Sequence, residues 1–292
     1  MRISIDKAKI ILTNPEFFDI EDILECGQVF RFKKLGDKDY IIHSLDKRAH
    51  IYNGAGNTVI IDCGGGKDAP YFYNYFDLDT DYADIQKRLA ETAGDNPAEH
   101  GFLMSAVKHG GGIRILRQDK TETIISFIIS ANNNIKRIQG IVERLCAALG
   151  KDMGGFYAFP TLSALAKSDK KFYNDIGAGY RDGYLYETSK VLADGFDLSA
   201  VDLADTETAL KLISRLKGVG PKVADCVLLF AYRKFDVFPV DTWIAKVFNR
   251  FYGGCLDRRE IRRLLVAKYG CLAGYAQQYL FYAARGGKIN DF

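Results

Sequence analysis

Residues 212–241, LISRLKGVGPKVADCVLLFAYRKFDVFPVD, decide the fold. Leu212, Ile213 and Leu216 fall at helical spacing, Gly218-Val219-Gly220-Pro221 breaks that spacing, and Val223, Val227, Leu228 and Ala231 resume it. The pattern predicts two helices joined by a tight hairpin. Gly218 and Gly220 permit positive φ and close backbone approach, and Pro221 suits the first turn of the second helix. A helix start exposes amide N–H groups that lack intrahelical partners, and phosphate oxygens bind there. Lys222 follows in the first turn, beside such a site, and Asp241 comes 19 residues later. A hairpin by itself is a sequence-blind clamp on DNA, with Lys222 as one more phosphate contact. Asp241 by itself is a cap for a helix opening at Thr242. Hairpin, lysine and carboxylate together point to chemistry on a nucleic acid.

At 292 residues, with 48% apolar and 26% charged side chains, the chain reads as an ordinary globular protein of two or three packing units. Its net charge is only +3, too weak to announce a polyanion partner. The distribution says more: residues 211–250 hold eight basic and three acidic side chains, whereas 75–100 hold two basic and seven acidic. Basic charge around the hairpin fits a phosphate-contacting face, and fits a solvated helix surface equally well. The cysteines at 26, 63, 146, 226, 255 and 271 form no Cys-x-x-Cys and no zinc spacing. Those after the hairpin are too scattered for an iron–sulfur cluster. The residues themselves call for no cofactor and no metal. With no signal peptide and no 18-residue apolar run, the chain reads as an intracellular monomer with reduced thiols and no membrane role, cytoplasmic or nucleoid in a prokaryote.

The order of elements predicts an α+β protein: an antiparallel-sheet domain over 1–110 and a helical domain over 111–292. Strand patterns run from about 15 to 62, at Val29–Lys34, Tyr40–Ser44, Ala49–Tyr52 and Thr58–Asp62. A helix is expected over Tyr82–Ala93, and Gly110-Gly111-Gly112 marks the boundary. Asp119-x-x-Glu122 is a capping-box variant opening the apolar helix Ile124–Ser130. Asn132-Asn133-Asn134 interrupts it, a second helix covers about 135–149, and further helices fall near 162–168, 183–194, 206–216, 221–232, 242–251, 258–268 and 272–285.

The segment Leu216–Asp241 resembles the catalytic signature of the helix–hairpin–helix, Gly/Pro-Asp (HhH-GPD) superfamily of base-excision DNA glycosylases. Within it, the chain resembles the 8-oxoguanine DNA glycosylase/AP lyases. Other blocks follow in the family's order: Gly27–Arg31, Ile115–Asp119, Ile128–Asn134 with Val142–Cys146, Gly177–Arg181, and Ala273–Gln277 with Leu280-Phe281. The lysine after the hairpin separates this group from monofunctional relatives. The resemblance implies that the partner is double-stranded DNA containing 8-oxoguanine opposite cytosine, and that base excision is followed by strand cleavage through β-elimination.

The chemistry accounts for those residue types. An amine in its uncharged form attacks C1′ of the deoxyribose and forms a Schiff base with the opened sugar, a role for Lys222. Asp241 then stabilises the oxocarbenium-like transition state and assists proton transfers. The target base lies inside a duplex and has to be flipped out. By resemblance, Asn132 fills the vacated space, Tyr180 wedges the stack, and Arg137 and Arg181 address the estranged cytosine. Helix capping explains Asn132 equally well, and ordinary burial explains Tyr180. Guanine N7 accepts a hydrogen bond, whereas 8-oxoguanine carries N7–H, so a fixed backbone carbonyl distinguishes them. The resemblance gives that carbonyl to Gly27, the sandwich of the flipped base to Cys226 and Phe281, and its Watson–Crick edge to Gln277. Core packing accounts for Cys226 and Phe281 as well, and Gln278 competes with Gln277 by adjacency. The hairpin Gly218-Val219-Gly220 takes a DNA phosphate; in relatives its carbonyls hold a monovalent cation, which nothing in this chain independently requires.

One departure stands out. After the aspartate, Thr242-Trp243-Ile244 is shorter than the eukaryotic-type pattern and lacks its phosphate-facing histidine, so Trp243 packs instead. The rival readings are a glycosylase for another oxidised or alkylated base, and a non-catalytic damage-binding protein of the same fold.

Overall fold

The computed structural model describes residues 1–92, 96–254 and 257–286. Ala93, the expected end of one helix, and Cys255 lie outside the described residues. The N-terminal part is a six-stranded antiparallel sheet in the order β1-β2-β6-β5-β4-β3, with β1 Arg2–Asp6, β2 Lys9–Thr13, β3 Phe32–Gly36, β4 Asp39–Ser44, β5 Lys47–Asn53 and β6 Thr58–Asp62. Alternate residues Ile10, Leu12, Tyr40, Ile42, Ile51 and Ile61 are buried on one face, the period-2 signature of a half-covered sheet. That face is closed by α1 (Ile20–Glu25) and α2 (Ala69–Tyr75), whose Ile23, Leu24, Phe72 and Tyr75 complete the smaller core.

The sheet begins earlier than expected. Strands β1 and β2 form a hairpin in which Ile5 pairs with Ile10, and β2 then pairs with β6, Ile10 opposite Ile61. β1 is an edge strand with one half-buried residue, so its alternation is too weak to read as buried. The aromatic residues 71–75 lie in helix α2, where Phe72 and Tyr75 fall one turn apart on its inner face.

Helices α3 (Tyr82–Glu91) and α4 (Pro97–His109) precede α5 (Lys120–Ser130) and α6 (Ile135–Leu149). Then come α7 (Leu162–Lys167), α8 (Lys170–Asp175), α9 (Asp182–Ala193), α10 (Leu198–Leu203) and α11 (Thr206–Ile213). The chain continues with α12 (Pro221–Tyr232), α13 (Thr242–Tyr252), α14 (Arg258–Tyr269) and α15 (Ala273–Gly286). The core does not divide at Gly110–Gly112: Tyr82, Ile85, Leu89, Phe102 and Val107 belong to the larger, helical cluster, and Leu116 to the sheet cluster.

The two cores are locked by buried polar groups. Asp119 caps α5 through the Glu122 N–H at 2.9 Å. The Glu122 side chain does not return to the cap, correcting the capping-box expectation. It accepts instead from the Leu45 N–H at 2.8 Å and pairs with Arg31 at 3.3 Å, both side chains being almost fully buried. Burial pushes the Glu122 carboxyl up while the Arg31 guanidinium pulls it down. Gln28 is a second lock, fully buried. Its amide donates to the carbonyls of Ile23 and Arg114, and its oxygen accepts from the Leu116 N–H. The chain on either side of Gly27 is thereby fixed to both cores.

Candidate active site

The hairpin forms as the glycines require. Gly218 has φ +82, and a Cβ there would come within 2.7 Å of the Tyr184 side chain, so both backbone and packing exclude other residues. Gly220 instead has φ −80 and nothing within 4 Å of a Cβ. The positive φ that Gly220 permits is not used: the residue is small where the wall of a cleft is open. With Gly220 as N-cap and Pro221 next, no side chain covers the first amides of α12, leaving its positive end bare. The Leu216 carbonyl accepts from the Val219 N–H at 3.1 Å and the Lys217 carbonyl from the Thr188 hydroxyl at 2.7 Å. Each carbonyl keeps a second lone pair. Among the described residues, no three His, Cys, Asp or Glu side chains cluster as metal ligands.

Helix α12 is apolar nearly all round, with Val223, Ala224 and every residue from Asp225 to Phe230 buried against α5 and its neighbours. The half-buried Lys222 therefore projects from a helix packed on most of its faces. The Lys222 Nζ lies 5.2 Å from the Phe127 ring centroid, and Phe127 stacks on Phe230 at 5.4 Å. Asp241 caps α13: its Oδ1 accepts from the N–H groups of Trp243 at 3.0 Å and Ile244 at 2.9 Å. The capping role foreseen for Asp241 is real. It fixes the carboxylate's orientation and leaves Oδ2 outside those two bonds.

Lys222 and Asp241 line one cleft of about 2120 Å³, together with Gly27, Phe30, Phe127, Asn132, Tyr180, Gly218, Gly220 and Phe281. Cys226 lies beneath this lining, buried one turn beyond Lys222. Burial pushes its thiol up to about 11, the Lys222 amine opposes that shift, and Asp241 adds to it. The thiol thus sits within electrostatic reach of both groups and stays neutral at pH 7.

Gly27 is held at φ +84, and a Cβ there would lie 3.0 Å from Phe281 Cε1. Gln278 donates to the Cys26 carbonyl at 2.8 Å, whereas the buried Oε1 of Gln277 has no hydrogen-bond partner. The adjacent glutamines thus divide the work: Gln278 anchors the bend that carries Gly27, and Gln277 keeps an unspent acceptor on the helix face of Phe281, four residues on.

The opposite lip is the 131–137 loop. Asn134, not Asn132, caps α6, through the Arg137 N–H at 3.0 Å. Asn132 is exposed with φ +48, a conformation asparagine tolerates better than most residues. Tyr180 is 57% exposed, which excludes the buried-aromatic reading, and its hydroxyl donates to the Ala131 carbonyl at 3.1 Å. Arg181 departs from expectation: it is buried and donates to the carbonyls of Ala131, Asn132 and Ala178. It pins the loop that carries Asn132 instead of presenting a free face. Arg137 is exposed and donates to the Gly177 carbonyl at 3.4 Å. Trp243 lines the cleft and carries Lys246 Nζ 4.7 Å from its ring centroid. Sequence reasoning missed Arg285, which lines the cleft beside Gly27 and follows Phe281 at helical spacing. That i, i+4 relation was the available signal.

Residues 10–124 match the family model for the 8-oxoguanine DNA glycosylase N-terminal domain, and residues 125–268 that for HhH-GPD superfamily base excision DNA repair proteins. The chain is 30% identical to the N-glycosylase/DNA lyase OGG1 of Arabidopsis thaliana over 275 residues, covering 88% of this chain and 74% of that one. A probable N-glycosylase/DNA lyase of Methanothermobacter thermautotrophicus is 35% identical over 205 residues, 62% of this chain and 66% of that one. The crystal structure of Clostridium acetobutylicum 8-oxoguanine glycosylase/lyase, bound to double-stranded DNA containing cytosine opposite 8-oxoguanine, superposes with a TM-score of 0.90. It is 35% identical, and the match covers 99% of both chains. Cleft, hairpin, sheet domain and these likenesses together establish that the chain belongs to the 8-oxoguanine DNA glycosylase/lyase family of the HhH-GPD superfamily.

Proposed function

We propose that the protein, acting as an intracellular monomer, extrudes 8-oxoguanine opposite cytosine from duplex DNA and excises it through Lys222. The Lys222 amine attacks C1′ and the bond to the base N9 breaks, the base leaving with the electron pair and gaining a proton. The sugar ring then opens to a Schiff base on Nζ. Loss of a C2′ proton expels the 3′ phosphate by β-elimination, and hydrolysis frees the lysine. Asp241, held by its helix cap, stabilises the cationic sugar and relays protons. Gly27 accepts from N7–H, Cys226 and Phe281 flank the base, and Gln277 meets its Watson–Crick edge. Tyr180 and Asn132 occupy the gap in the duplex and Arg137 addresses the estranged cytosine. Arg181 holds the Asn132 loop in place, and Gly218–Gly220 takes the phosphate.

The observation that carries this reading is the meeting of Lys222 and Asp241 in the lining of one cleft. The test is borohydride trapping with duplexes containing 8-oxoguanine opposite cytosine or dihydrothymine. A covalent adduct with only the first is expected, lost in Lys222→Gln while lesion binding persists. An adduct formed by Lys222→Gln refutes the lysine assignment; binding without any cleavage favours a damage-binding protein.

A further inference from the structure

The wall of the cleft behind Phe281 carries a cation with an unspent donor. Arg285 follows Gln277 and Phe281 on α15 at spacings that put all three on one helix face. One end of its guanidinium, Nη2, donates to the Glu25 carbonyl at the end of α1. The guanidinium carbon lies 5.5 Å from the Phe281 ring centroid, a cation–π distance. The other end, Nη1, is shielded from water and has no hydrogen-bond partner. The neighbouring Glu25 carboxylate is engaged by Lys34 and Tyr40. Nη1 lies 3.4 Å from the point where a Cβ on Gly27 would stand, and the Phe281 edge lies 3.0 Å from the same point. An ionised donor withheld from water without an acceptor is destabilising, and a group left so on a cleft wall calls for a ligand that completes it.

We propose that Arg285 is a lesion-contact residue, whose Nη1 donates to one of the two carbonyl oxygens flanking N7–H of the extruded oxidised purine. The inference rests on the lesion-pocket reading above, in which the Gly27 carbonyl accepts from that N7–H. A purine oxidised at C8 presents acceptor, donor, acceptor across C8, N7 and C6. A backbone carbonyl with a guanidinium N–H beside it complements two adjacent members of that set. Guanine keeps the C6 oxygen but has an acceptor at N7 and no oxygen at C8, so the carbonyl opposes it, and the guanidinium adds discrimination only through a contact with the C8 oxygen. Donation from a cation is stronger than from a neutral group and is stronger still away from water.

The test uses the full chain in a Lys222→Gln background, so that nothing is cleaved. Arg285→Met keeps the apolar contact with Phe281 and removes the donors; Arg285→Lys keeps the charge. Each is titrated with a duplex carrying 8-oxoguanine opposite cytosine, and with the same duplex carrying a tetrahydrofuran abasic analogue. Arg285→Met is expected to weaken binding to the first by about tenfold or more and to leave the second within about twofold, with Arg285→Lys between. An equal loss on both duplexes, which a purely structural role produces, overturns the proposal, as does no loss on the first. Should the methionine variant not unfold cooperatively, the lysine variant decides by the same criterion. A Lys222→Gln parent that binds both duplexes equally sinks the lesion-pocket reading itself, a different outcome from the loss of Arg285 alone.

Discussion

On the proposed mechanism, Gly27→Ala is expected to separate lesion recognition from the rest of the reaction. Gly27 sits at φ +84, where an L side chain costs about 1–2 kcal/mol. The added methyl would stand 3.0 Å from Phe281 Cε1 and 3.4 Å from Arg285 Nη1. Carbon atoms rest about 3.5–4.0 Å apart, so the Phe281 ring has to give way. It is half-buried and borders the cleft, so it yields into open space with little added cost. The fold therefore loses about 1–2 kcal/mol, a fall in Tm of about 2–8 °C. The site loses more, because the ring then occupies the slot a base has to enter and the Gly27 carbonyl turns with its strained peptide. A displacement of about 1 Å at a reacting pocket costs about 100-fold in rate. Single-turnover excision of 8-oxoguanine opposite cytosine is expected to fall by about that factor. Strand cleavage at a preformed abasic site, which the proposed mechanism routes through Lys222 without the base pocket, should stay within about threefold. Wild-type excision, or an equal loss in both assays, refutes the reasoning.

Three further outcomes are expected. Glu122→Gln leaves the buried Arg31 cation unpaired and should lower unfolding free energy by about 3–5 kcal/mol in urea titration, far beyond a surface change. Tyr180→Ala removes an exposed ring, so stability should stay within about 0.5 kcal/mol, while excision from duplex DNA slows and excision from a single strand does not. Burial raises the Asp225 carboxyl to about 6 from 3.8 despite its bond to Arg262 at 2.8 Å. Between those values the folded chain holds a proton that the unfolded chain has released. Stability should therefore fall as pH rises from about 4 to about 6, by as much as about 3 kcal/mol, and denaturation midpoints for Asp225→Asn should be flatter across that window.

How far the residues alone carry the argument differs from one element to the next. The hairpin, α12 and the β4–β6 meander were legible because each obeys a local rule: glycine and proline punctuation, a 3.6-residue period, or strict alternation with turns. β1 escaped notice because an edge strand buries almost nothing and so shows no contrast. The Glu122 reading failed for a complementary reason. Asp119 and Glu122 have capping-box spacing, yet a buried arginine from the sheet domain outcompetes the helix end for the carboxylate. Likewise Asn132 lies two residues from the true cap, and its left-handed backbone, beside carbonyls that Arg181 binds, has no signal in residue spacing.

The amino-acid sequence alone determined the class of chemistry, because a lysine after a glycine-bracketed hairpin and an aspartate capping the next helix are local signals with few other uses. It also determined that a sheet precedes a helical region, since periodicity is a property of neighbours along the chain. Only the tertiary structure decided which of two adjacent glutamines is free, that Arg181 supports a loop, and that Arg285 stands beside Gly27 with an unspent N–H. Those facts depend on competition for hydrogen-bond partners between segments from about 50 to 260 residues apart. No spacing rule encodes that competition, because it is settled by which groups burial brings together and which it leaves unsatisfied.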